Sequence, residues 1–116
     1  MTGLRPEDVD SLWMKFDREE SISKIGNLAV VRLGELYRSL DDDDRRVFED
    51  VVISWVGSPN PRRDFAGVTL INEQAIRAGL PVVKSALKAL ETASGPSVPF
   101  DRAALERIIS KLETVE

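Results

Sequence analysis

The sequence predicts an all-α fold. Apolar residues recur at i, i+3, i+4 and i+7 along successive stretches, the period of a helix with one buried face. Charged residues make up 31% of the chain beside 42% hydrophobic ones, a balance suited to helices with solvated faces around one core. Pro, Gly, Ser and Asp punctuate the chain at helix-length intervals, and strict apolar–polar alternation is absent.

Pro6, Glu7 and Asp8 open the first helix, since proline suits a first turn and acids suit its positive end. Val9, Leu12, Trp13 and Phe16 share one face, and the helix is expected to end between Asp17 and Glu20. Ser21 or Ser23 is placed to cap a second helix, whose apolar face is Ile25, Ala29, Leu33, Leu36, Tyr37 and Leu40. Gly26 and Gly34 fall on nearly the same side of it. They either admit a neighbouring helix closely or are ordinary glycines, tolerated at up to about 1 kcal/mol each. Asp41 is the expected N-cap of the third helix, with Asp42, Asp43 and Asp44 in its first turn. Val47, Phe48, Val51, Val52, Trp55 and Val56 form its stripe. The β-branched crowding over 51–56 also admits a strand, but the missing alternation favours helix.

Gly57-Ser58-Pro59-Asn60-Pro61 is a break, with Asn60 as N-cap and Pro61 as the first position of a fourth helix. That helix is expected to carry Phe65, Val68, Thr69 and Asn72 on one side, with Ala66, Leu70 and Glu73 beside them. Gly79-Leu80-Pro81 is expected to end it and start the fifth, whose seam is Val83, Ala86, Leu87 and Leu90. A loop follows over 93–99. Asp101 then caps a sixth helix, flanked by Phe100 and Leu105 at the positions of a hydrophobic staple. Ala104, Leu105, Ile108, Ile109 and Leu112 form its buried face. About six helices joined by short turns predict antiparallel pairs in a single domain over residues 1–116.

Composition excludes several kinds of chemistry. The chain has no Cys, and so no disulfide, thiolate metal site or cysteine nucleophile. It has no His, the side chain best suited to proton transfer near neutral pH and the commonest ligand for zinc, copper and nickel. The spaced Asp and Gly pattern of a calcium-binding loop is missing. Adjacent carboxylates such as Glu49 with Asp50, or Glu19 with Glu20, point about 100° apart on a helix and do not converge on one substrate. A protein without catalytic residues, metal or cofactor is therefore expected.

The net charge is −4. Nucleic-acid binding calls for a basic surface, which this balance does not advertise. An acidic chain suits a basic protein partner, although the same charge also serves plain solubility. No apolar run approaches the roughly 18 residues of a membrane span, and the first residues lack the apolar core of a signal peptide. A cytoplasmic protein is expected.

The stretch from Asn60 to Leu90 resembles a HEAT-type repeat. Such repeats are helix pairs with a proline near the start of the first helix, an arginine after it, and a proline opening the second. The matching residues are Pro61-Arg62-Arg63-Asp64-Phe65-Ala66, Leu70-Ile71, Ala78-Gly79-Leu80-Pro81-Val82-Val83 and Leu87. The segment from Ile25 to Val56 is a second helix pair of similar length but lacks that pattern. The resemblance implies a HEAT-like right-handed helical stack that binds another protein along a helical surface. Some small bacterial members of that group are immunity proteins, scaffolds or lyase subunits, and a few bind DNA.

The candidate partner-binding residues are Asp41, Asp42, Asp43, Asp44, Arg62, Arg63, Asn72, Glu73 and Trp13. The acidic run is either a docking patch for a basic partner, such as a nuclease toxin, or a helix cap with acids complementing the dipole. Arg62 and Arg63 begin the fourth helix, where the dipole disfavours cations. The resemblance implies that an arginine here pairs with an acid on a neighbouring helix; Asp64, Glu49 and Asp50 are the candidate partners. Otherwise the two arginines meet an anion or an acidic partner. Asn72 and Glu73 either line a concave face or mark an ordinary bend. Trp13 and Trp55 suit core packing, and Trp13, on a terminal helix, is the better placed to be exposed as a binding hot spot.

The leading expectation is a non-catalytic protein-interaction module, with an immunity or antitoxin-like role as its sharpest form. The alternatives are a structural adaptor or homodimer joined through its first or last helix, an enzyme using paired carboxylates, and a nucleic-acid module using Arg62, Arg63, Arg77, Lys84 and Lys88.

Overall fold

The computed structural model describes residues 3–23 and 28–114. Six α-helices run through them: α1 (Pro6–Ser23), α2 (Leu28–Ser39), α3 (Asp42–Trp55), α4 (Pro61–Glu73), α5 (Leu80–Ala89) and α6 (Val98–Glu113). Two 3₁₀ turns, Arg77–Gly79 and Leu90–Thr92, flank α5. There is no strand among the described residues, so the β-branched segment before Trp55 is helical. Ile25 and Gly26 lie outside the described residues.

Helices adjacent in the chain pack together: α1 on α2, α3 on α4, α5 on α6. These pairs lean on one another, α1 against α3 and α2 against α4, with α6 reaching α4. The molecule measures 42 × 37 × 19 Å, so it is about two helix layers deep. Val9 and Trp13 of α1, Ala29, Val30 and Leu33 of α2, and Phe48, Val51, Val52 and Trp55 of α3 meet in the core with Ala66, Leu70 and Ile71 of α4. Val83, Ile108 and Leu112 continue it between α5 and α6. The helical periodicity therefore marks the buried faces of α1, α2 and α3 correctly.

The face of α4 differs from the expected one. Ala66, Gly67, Leu70 and Ile71 are buried, while Phe65 is 54% exposed. The small residues set this orientation by letting α4 approach α3 closely. A Cβ on Gly67 would lie 2.9 Å from the Val52 carbonyl oxygen and 3.1 Å from the Trp55 Cβ. Gly34 is also approached, but only by the side chains of Gln74 and Arg38.

Three helix ends also differ from expectation. α1 runs on to Ser23, and Ser21 donates its hydroxyl to the Asp17 carbonyl within that helix instead of capping α2. α4 stops at Glu73, well before Gly79. Ala75 takes φ 51°, its N–H reaches the Asn72 carbonyl, and the Ile76 N–H reaches the Ile71 carbonyl. Those two bonds make a Schellman closure, here with alanine at the left-handed position where glycine is usual. Ile76 then turns into the core at 1% exposure. α6 begins at Val98 with Pro99 in its first turn, so Asp101 is inside the helix and Phe100 is 81% exposed instead of stapling it.

Candidate functional site

The junction between α3 and α4 is built from local turn chemistry. Gly57 takes φ +82°, which favours glycine, and donates its N–H to the Asp64 carboxylate at 2.7 Å. Asn60 caps α4 as the sequence predicts, its Oδ1 accepting from the N–H groups of Arg62 and Arg63. This fixes the direction in which the two arginines leave the helix.

The acids that Arg62 meets lie on α1, not at Asp64, Glu49 or Asp50. Arg62 donates from Nε to Asp17 at 2.6 Å and from its terminal nitrogen to Glu20 at 2.7 Å. These hydrogen bonds, the one to Asp17 foremost, hold the guanidinium more firmly protonated than a free arginine. Arg63 turns the other way, onto indole rings. Its guanidinium carbon sits 4.7 Å from the ring centroid of Trp13 and 5.9 Å from that of Trp55. The two indoles are tilted, 5.9 Å apart, and the Trp55 Nε1–H donates to Asp10 at 2.9 Å. Trp13 is only 4% exposed. Core packing, the first expectation for both indoles, holds, and Trp13 is not exposed as a binding hot spot because α1 is covered by both α2 and α3.

Two depressions flank this cluster. One, of about 220 Å³, has Ala29, Val30, Trp13 and Ala66 among its lining, with Asp17, Glu20 and Arg62 on its rim and the half-exposed Phe65 beside them. The other, of about 330 Å³, opens between Asp10, Trp55, Ser58 and Arg63. Phe65, Asp17, Glu20 and Asp10 are site residues that the sequence reading missed. The signal for Phe65 was present in the Ala66-Gly67 pair, which marks the buried side of α4.

The acidic run divides by role. Asp41 is the N-cap, accepting from the Asp44 N–H at 2.9 Å. Asp44 is 6% exposed and accepts from the Leu4 N–H at 3.1 Å, tying the chain before α1 to the start of α3. Asp42 and Asp43 are exposed. Arg45 turns away from all four, onto the Tyr37 and Arg38 carbonyls that end α2. Above it, the Tyr37 hydroxyl donates to Glu49 at 2.5 Å; burial first, and then that carboxylate, push the phenol up to about 12. Asn72 accepts from Lys111 of α6 through its carbonyl, and Glu73 is exposed.

Arg62, Arg63 and Trp13 are therefore brought together where α4 begins. Asn72 and Glu73 lie at the other end of α4, about 15 Å away at 1.5 Å per residue. The acidic run lies at the far end of α3, at a similar remove from Trp55. The basic residues do not form one strip: Arg62 is neutralised by two acids and Lys84 pairs with Glu113.

Charge is divided unevenly between the helices. α1 holds six acids and two bases and α3 five acids and two bases, a formal −7 between them against −4 for the whole chain. These two helices pack side by side. Among the described residues no group of three acidic side chains is arranged to hold a metal ion, and no helix is long and apolar enough to cross a membrane. Comparison with protein-family models, curated proteins and solved structures found no match.

Proposed function

We propose that this chain is a non-catalytic protein-interaction module, a HEAT-like stack of helix pairs that binds a basic protein partner. An immunity or antitoxin-like role is its sharpest form. The observation that carries the reading is the concentration of acid on α1 and α3, which together exceed the charge of the entire chain. Acid gathered on two helices packed side by side steers a basic partner. Next to it lies the groove with an apolar floor and Phe65 on its rim, suited to an apolar side chain carried by that partner. The HEAT-like character rests on the residue resemblance and on Arg62 reaching acids of another helix. The pairs that pack, α3 on α4 and α5 on α6, are offset by one helix from the α4–α5 and α2–α3 pairs that the resemblance implies.

The test is affinity capture of the tagged protein from its native cell, followed by titration of the co-purified protein against variants. Phe65→Ala and the exposed reversals Asp43→Lys and Asp50→Lys are expected to weaken a stoichiometric basic partner by about tenfold or more, and added salt to weaken it further. A partner indifferent to all of these changes contradicts the proposal.

A second reading rests on Phe100. At 81% exposure in the first turn of the last helix, it favours self-association through α6. Light scattering of wild type and Phe100→Ser separates the two: a dimer lost in the variant supports self-association, and a monomer in both removes it.

A further inference from the structure

We propose that the cleft beside Arg63 is a binding site for a carboxylate. This goes beyond the acidic docking face and does not depend on it. The cleft, about 330 Å³, is lined by Asp10, Ser54, Trp55, Gly57, Ser58 and Arg63, together with their chain neighbours. It lies at the small end of the range for ligand pockets and is large enough for one acidic group with a short stem.

Arg63 is the feature that calls for an anion. Its guanidinium lies over two indole rings, a contact that holds the planar fork in place and uses none of its N–H donors. Its Nε is buried with no acceptor, and among the described residues no carboxylate pairs with it. Arg62, one residue earlier, is satisfied by two acids. Asp10 shares the cleft, but one of its oxygens accepts the Trp55 indole N–H. With Nε shut off from solvent, the terminal nitrogens, which carry no hydrogen bond among the described residues, are the donors left to an incoming carboxylate. Such a group accepts two parallel N–H bonds from a guanidinium. Ser58 adds a donor at the same cleft: its Oγ accepts from the Asn60 N–H, which leaves the hydroxyl proton to give. The Asp10 charge in the cleft disfavours a dianion such as phosphate and leaves a monoanion the better fit.

The experiment is a ¹⁵N NMR titration of the full chain, following the Arg63 Nε–H and the amides of Gly57 and Ser58. The probes are acetate, a blocked Ala-Glu-Ala peptide and inorganic phosphate, each against sodium chloride at matched ionic strength. The expected result is a saturable shift with a carboxylate probe, at least about tenfold weaker in Arg63→Lys, which keeps the charge and loses the fork. Saturation by acetate as tight as by the peptide assigns a small free acid. Saturation by the peptide alone assigns an acidic segment of a protein. Shifts no different from chloride, phosphate binding tighter than either carboxylate, or unchanged binding in Arg63→Lys overturns the proposal. If Arg63→Lys does not fold, Ser58→Ala, which leaves the indole stack intact, must weaken the carboxylate; unchanged binding there overturns it equally.

Discussion

A single methyl group at position 67 sets two physical effects against each other. In an isolated helix, Gly67→Ala stabilises by about 1 kcal/mol, because alanine has less backbone freedom to lose. In this fold the added Cβ would lie 2.9 Å from the Val52 oxygen, 3.1 Å from the Trp55 Cβ and 3.3 Å from the Val56 nitrogen. Ordinary carbon contacts begin near 3.5 Å, and none of these three atoms can swing aside by a side-chain rotation. α3 and α4 must therefore separate along their contact, an overpacking strain of about 1–3 kcal/mol. With three such contacts the upper part of that range applies, and the net loss is about 1–2 kcal/mol. That corresponds to a Tm lower by several degrees for a chain of this size. Gly34→Ala is the internal control. Its new Cβ meets only the ends of the Gln74 and Arg38 side chains, which can move, so the propensity gain survives. Urea and thermal unfolding by circular dichroism read both variants. A Gly67→Ala protein as stable as wild type, or more so, refutes the close α3–α4 approach that aims Arg62 and Arg63.

Three further outcomes follow from the same geometry. Ala75→Gly relieves a left-handed alanine, worth about 1–2 kcal/mol, less the greater unfolded freedom of glycine, for a net gain of about 0.5–1 kcal/mol in urea unfolding. Asp44→Ala leaves the Leu4 N–H without its acceptor and costs about 1–3 kcal/mol, whereas the exposed Asp42→Lys costs under about 1 kcal/mol, mostly through the helix dipole. Equal losses would refute the division of the acidic run. Tyr37, the only tyrosine, is raised to about 12 in the fold. Its stabilising share is thus fully present below the ordinary value near 10 and is lost as pH climbs from there towards 12. Phenolate absorbance checks the native titration directly, and Tyr37→Phe should remove that part of the alkaline slope in the urea midpoint.

What the residues disclosed in advance follows from range. Caps are local, so Asp41 and Asn60 were legible from their own neighbours. Apolar periodicity needs only one turn of context, so the faces of α1, α2 and α3 were legible too. The end of α4 was not, because the chain closes it with Ala75 and an inward Ile76 where glycine is the usual signal, and Gly79 lies further on. Pro99 sits in the first turn of α6, where proline suits, but it stands at the end of a loop-like Ser-Gly-Pro-Ser-Val-Pro run, which leaves Asp101 as the expected cap. The site was the least legible part. Arg62 finds its acids on α1, some 45 residues earlier in the chain, and Arg63 finds two indoles from two different helices. Such partners are set by how helices stack, and no spacing along the chain encodes that directly.

The central claim is that the acid gathered on α1 and α3 receives a basic protein. Its most direct measurement is calorimetric titration of the captured partner against wild type and the Asp43→Lys, Asp50→Lys double variant, at two salt concentrations. The account predicts one-to-one binding that weakens about tenfold or more in the variant and shows a smaller salt dependence there. Equal affinity for both proteins, with the same response to salt, would contradict it.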